Sequence, residues 1–146
     1  SIIKNINNHA YQLDLIHKLY LDETFCEKKF IISELKTKIS SYKQQDIKKN
    51  LHEKENLISF NNVVDKLQTC NLKCYYCNDN LFILFDKVRD NKQWTLDRLN
   101  NLDEHSSDNT IISCLKCNLE RRRKNSEKFK FTKQLQNNLI TIKKTE

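Results

Sequence analysis

The 146-residue chain contains no glycine, no proline and no methionine, and Ala10 is its only alanine. Average usage is about 7% Gly and about 5% Pro, so a chain of this length ordinarily carries several of each. Without glycine there can be no Walker A loop, no dinucleotide-binding fingerprint and no nucleophile elbow. Nucleotide-binding and hydrolase folds built on those loops are excluded. Long apolar runs are missing too. The longest, Leu81 to Phe85, has five residues, against the ~20 of a membrane span. No signal-peptide pattern opens the chain. The expectation is one soluble, intracellular domain of ordinary size, in a reducing compartment and without a membrane partner.

What is abundant is charge. Charged residues make up 31% of the chain, the formal net charge is +7 and the mean hydropathy is −0.76. There are 21 Lys against 5 Arg, with 18 Asn and 14 Ile. Lys, Asn and Ile have AT-rich codons, which points to an AT-rich genome such as that of a large virus, an organelle or a parasite.

Three zones follow one another. Residues 1–69 form a helical N-terminal extension, with Ile32, Leu35, Ile39 and Tyr42 on one face and Val63, Val64 and Leu67 on a second helix. Thr24, Ser33 and Ser59 are candidate caps; with no glycine, helix ends must use Asn or fray. This zone is either an adaptor for a protein partner or a buttress for the module behind it. Residues 70–139 hold five of the six cysteines, with strands expected at Gln93–Leu96 and Thr110–Ser113 and a polar loop at Asn100–Asn109. A helix is expected from Asn118 to about Leu139, with Leu119, Phe129, Phe131 and Leu135 as an apolar stripe. Residues 140–146 are a basic tail.

Cys74-Tyr-Tyr-Cys77 and Cys114-Leu-Lys-Cys117 are two C-x2-C pairs separated by 36 residues. Each turn sets two thiolates on one side of a metal, and two turns complete a tetrahedral, structural Zn²⁺ site. Cys70 extends the first pair to C-x3-C-x2-C, the iron–sulfur spacing of radical S-adenosylmethionine enzymes. The chain has neither the length nor the Gly-rich strand ends of their barrel. Cys70 and Cys26 are expected as free or buried thiols.

Between the knuckles run Trp94-Thr-Leu-Asp97-Arg98, His105 and Asn109, and Asn118 follows the last cysteine. This arrangement resembles the HNH, or His-Me finger, endonucleases over roughly Cys74 to Lys130. The resemblance implies an α+β fold: a small ββα-metal module on a four-cysteine zinc site. It also implies Asp97 and Asn118 as ligands of a catalytic Mg²⁺ or Mn²⁺ ion, and Asn109 as the residue orienting the base. Both ligand side chains offer hard oxygen donors suited to such ions. The family's general-base His position holds Arg98, which cannot accept a proton; the Leu-Asp-Arg version resembles HNH-like proteins of large DNA viruses. Arg98 could instead hold a phosphate bidentately. His105 either replaces the base from the loop or pins the hairpin through a hydrogen bond.

Glu120 to Glu146 carries nine Lys or Arg against three acids, six of the chain's seven excess positive charges. Arg121, Arg122, Arg123, Lys124 and Lys128 are the candidate contacts to a nucleic-acid backbone, DNA by the resemblance; the alternative is a solvated tail. Two functions are open at this point. One is a metal-dependent DNA endonuclease or a nuclease-derived DNA-binding protein. The other is a catalytically inactive HNH-fold zinc module serving as a structural or interaction component of a viral particle or nucleoprotein assembly.

Overall fold

The computed structural model describes the backbone of residues 5–145 and the side chains of 5–139. Among these, five helices and one two-stranded antiparallel sheet make an α+β fold. In chain order they are α1 (His9–Tyr20), α2 (Lys28–Lys48), α3 (Phe60–Thr69), β1 (Trp94–Arg98), β2 (Thr110–Cys114), α4 (Leu115–Arg121) and α5 (Ser126–Thr145). None of the described helices is long and apolar enough to cross a membrane.

The N-terminal helices and the cysteine-rich segment share one apolar core. Ile31, Leu35, Ile39 and Tyr42 form the buried stripe of α2, so Ile31 takes the inward position expected of Ile32. Asp46 continues the same stripe one turn on and is wholly buried. From this face Tyr42 accepts the Leu96 N–H at 3.1 Å, and Lys38 donates to Gln93 and to the Trp94 carbonyl. The buttress role of the extension is therefore visible in its contacts with β1. Gln12, wholly buried on α1, joins that helix to the segment before the hairpin. Its Oε1 accepts from the N–H groups of Ile83 (2.7 Å) and Leu84 (3.0 Å), and its Nε2 donates to the carbonyls of Ile6 and Leu84.

Trp94 pairs with Cys114 and Arg98 with Thr110, which brings the β1 and β2 ends of the 99–109 loop together. Asn8 and Ser59 cap α1 and α3 by accepting from Tyr11 and Asn62 N–H groups. Thr24 and Ser33 do not act as helix N-caps: α2 starts after Glu27, and Ser33 lies inside it. Left-handed residues end the helices where glycine ordinarily would. Asp22, Asn50 and Asn71 follow α1, α2 and α3 with φ of 55°, 58° and 53°, and Arg122 closes α4 at 53°.

The single helix expected over Asn118–Leu139 is two, because Arg122 turns the chain between α4 and α5. Its expected stripe divides accordingly. Phe129 is buried against Tyr76 (ring centroids 4.9 Å apart), whereas Leu119, Phe131 and Leu135 are exposed. The segment expected as a tail continues α5 to Thr145.

Two outcomes follow for stability. Gln12→Leu leaves two buried N–H groups without acceptors and is expected to lower the unfolding free energy by about 2–4 kcal/mol in urea titrations. Lys38 sits over the rings of Trp94 (4.6 Å) and Phe85 (5.2 Å), and burial lowers its ammonium pKa to about 7. The unfolded chain then binds the extra proton between pH 7 and the ordinary lysine range. Stability is expected to rise with pH across that window, and Lys38→Met is expected to flatten the rise.

Candidate metal centre and basic cleft

Backbone geometry gathers the four thiols. Cys74 and Cys77 sit on a tight turn in which Asn78 N–H donates to the Cys74 carbonyl (3.0 Å) and Asn78 takes a left-handed φ of 62°. Cys114 ends β2 and Cys117 lies in the first turn of α4. Tyr75 N–H donates to the Ile112 carbonyl at 2.9 Å and docks the turn on β2. The four Sγ atoms lie within 4.8 Å of one another and can hold a metal ion such as zinc. Cys70 is outside this group and donates to the Leu67 carbonyl; Cys26 is exposed.

The donor set suits a dication. Cys74 Sγ accepts the N–H groups of Tyr76 (3.4 Å) and Cys114 (3.3 Å), and Cys114 Sγ accepts that of Cys117 (3.3 Å). Hydrogen bonds from Cys114, Cys117 and Cys77 hold the Cys74 thiol well below its usual pKa. Hydrogen bonding to Cys114, Cys74 and Cys77 pushes that of Cys117 far up. Ionisation is favoured at Cys74 and Cys77 and opposed at Cys114 and Cys117, a conflict that a bound dication relieves. Helix α5 covers the first turn: Asn137 donates to the Cys77 carbonyl (2.8 Å), Tyr75 to Glu127 (3.1 Å), and Lys130 lies over the Tyr75 ring.

A cleft of about 1120 Å³ opens at the loop end of β1 and is lined by Asp97, Arg98, His105 and Asn118 together. The structure thus collects these residues singled out in the sequence, but in other roles. Asp97 is 5% exposed, and both its oxygens are taken. Tyr76 donates to Oδ2 at 2.6 Å and Arg121 Nη1 to Oδ1 at 3.0 Å. Arg121 is 2% exposed and also donates to the carbonyls of Arg98, Leu99 (3.0 Å) and Lys124 (2.8 Å). Its guanidinium stands where a divalent ion on Asp97 would have to approach. Asn118 donates to Thr95 Oγ1 at 3.1 Å. With a guanidinium already on Asp97, the pair does not fit Mg²⁺ or Mn²⁺, although Asn118 Oδ1 accepts from no described donor.

Asn109 organises the loop. Its Oδ1 accepts the Asn100 N–H (2.9 Å) and its Nδ2 donates to the carbonyls of Asn100 (3.0 Å) and Glu104 (2.9 Å). Arg98 Nη1 donates to the carbonyls of Asn101 and Asp103, closing the same loop. His105 is pinned to Asp46 on α2, Nδ1 to Oδ1 at 2.7 Å and N–H to Oδ2 at 2.8 Å. Burial holds its imidazole pKa below the usual value, despite Asp46. Of the basic residues, Arg121 is consumed by Asp97. Arg122, Arg123 and Lys124 form the exposed turn lining the cleft, and Lys128 lines a neighbouring hollow between α4 and α5.

Three residues of the site escape a reading by motif: Tyr76, Arg121 as a buried ion-pair partner, and Asp46. The last left a signal, a carboxylate on the apolar stripe of α2. Comparison with known proteins finds no matching family model, curated relative or solved structure.

The four-thiol site is expected to carry one zinc per chain by elemental analysis. Strong chelation at neutral pH is expected to lower the thermal midpoint sharply, and zinc to restore it; Cys114→Ser is expected to lose both the metal and that response.

Proposed function

We propose that the chain is a nuclease-derived, zinc-stabilised module that binds the backbone of nucleic acid and has given up divalent-metal hydrolysis. The Arg121–Asp97 ion pair carries the reading. A guanidinium on the carboxylate that the HNH resemblance assigns to the metal sets a fixed positive charge in competition with any ion there. Arg98 at the base position agrees with it, since it cannot take a proton from water. The knuckles, the hairpin and the following helix stay in the order that the resemblance implies, so the loss is confined to the chemistry.

Binding is supported by the charge of the cleft. Lys49, Arg98, Arg122, Arg123 and Lys124 line it, and its one acid, Asp97, is neutralised by Arg121. Phosphates on such a wall release counterions, so affinity falls with salt. A protein partner, the second reading, is favoured by one observation. Leu119, Phe131, Leu135 and Leu139 are about half exposed or more along α4 and α5. Of these, Leu119 also lines the cleft, whereas the partner was expected on the N-terminal helices.

The expected outcome is that the zinc-loaded protein leaves a supercoiled plasmid intact with Mg²⁺ or Mn²⁺. It is expected to bind single strands with a log–log salt slope of about −3 to −4, and Arg123→Glu with Lys124→Glu to make that slope shallower. Nicking abolished by Asp97→Ala would overturn the loss of catalysis. Absence of binding at low salt would overturn the nucleic-acid reading.

A further inference from the structure

The His105 imidazole faces two ways. Asp46 accepts at both carboxylate oxygens, which puts the ring proton on Nδ1. Nε2 is left as a bare lone pair. The described residues give it no hydrogen-bond partner. It is not an enclosed orphan either, since among them that description applies to His17 Nε2. The His105 side chain is 4% exposed and is among the residues that line the cleft. Tyr42, its ring 4.7 Å away, and the Asp46 carboxylate fix its orientation.

This makes the cleft chemically mixed. Lys49, Arg98 and Arg122 to Lys124 are donors, and a phosphate offers only acceptors. A bare phosphodiester therefore satisfies the cations and leaves Nε2 unpaired. Asn118 is in the same position: its amide nitrogen is spent on Thr95, and its Oδ1 has no donor among the described residues. A ligand that completes the site carries a hydrogen-bond donor, O–H or N–H, beside its phosphates. Along a nucleic-acid backbone that group is the ribose 2′-hydroxyl, which DNA lacks.

We propose that the cleft selects RNA over DNA, with His105 Nε2 accepting a hydrogen bond from a 2′-hydroxyl while the surrounding cations hold the adjacent phosphates. This deepens the nucleic-acid reading above and rests on it. Asp46 is the positioning residue, because it sets the tautomer that leaves Nε2 able to accept.

The test is fluorescence anisotropy on the full zinc-loaded chain with short labelled single strands of one sequence: RNA, DNA, 2′-fluoro RNA and 2′-O-methyl RNA. One neutral hydrogen bond corresponds to a preference for RNA over DNA of about two- to tenfold. The 2′-fluoro strand keeps the ribose-like pucker without the donor, so it is expected to bind no better than DNA, and the 2′-O-methyl strand likewise. In His105→Phe, checked for folding by circular dichroism, the RNA-to-DNA affinity ratio is expected to fall to about one. The modified strands test the idea even if that variant does not fold. Equal affinity for RNA and DNA would overturn the ribose assignment and leave nucleic-acid binding standing. No binding to either would overturn both. A preference that survives in 2′-fluoro RNA, or in folded His105→Phe, would overturn the role given to the hydroxyl or to His105.

Discussion

The gathering of four thiols is the constraint on which the other contacts hang. It draws the Cys74–Cys77 turn onto the end of β2 and the start of α4. With that turn in place, Tyr76 points inward and reaches Asp97. Asp97 in turn holds Arg121, and Arg121 gathers the carbonyls at the end of β1 and in the turn after α4. The exposed cations of residues 122–124 are where they are because the residue before them is anchored. A structural zinc site in small modules contributes on the order of 10–16 kcal/mol, comparable to the net stability of an ordinary domain.

The Asp97–Arg121 pair is a different kind of contact. Removing both charges from water costs several kcal/mol, and their attraction repays this only with good geometry and further hydrogen bonds. Here the carboxylate has Tyr76 as well as Arg121, and the guanidinium has three carbonyls besides Asp97. Each charge is thereby satisfied without an ion. The Tyr76 hydroxyl is held above its usual pKa by burial and by its bond to Asp97, so it stays a donor. An exchangeable metal site would need the reverse arrangement, oxygens left under-bonded until the ion arrives.

Local signals carried much of the fold into the sequence. The two C-x2-C pairs, the loop at 100–109 and both strands were legible to within a residue or two, because knuckle spacing and alternation are short-range properties. The break at Arg122 was not legible. It carries no Gly or Pro, and the helical period runs through it unmarked. Nor could Arg121 be told apart from Arg122 and Arg123. Three adjacent cations look alike until tertiary packing buries one of them beside a carboxylate 24 residues earlier. Asp97 and Asn118 do share one cleft, with Asn109 in the loop beside it, but which groups satisfy them depends on distant segments. For His105 the sequence left a base or a pin, and the pin is present in its bond to Asp46.

The glycine-free turns bear on the other side of the folding equilibrium. Seven of the described residues hold positive φ without being glycine, among them Leu72 and Arg122, which lack the local hydrogen bonding that eases Asn and Asp into that region. Native strain of this sort is ordinarily removed by glycine. Glycine, however, also widens the range of conformations open to the denatured chain, and folding must overcome that entropy. A chain with no glycine at all is stiff before it folds. The strain sits at a few helix ends, at Glu55 in the loop between α2 and α3 and at the knuckle turn, while the narrowing of the denatured ensemble applies along the whole length of the chain.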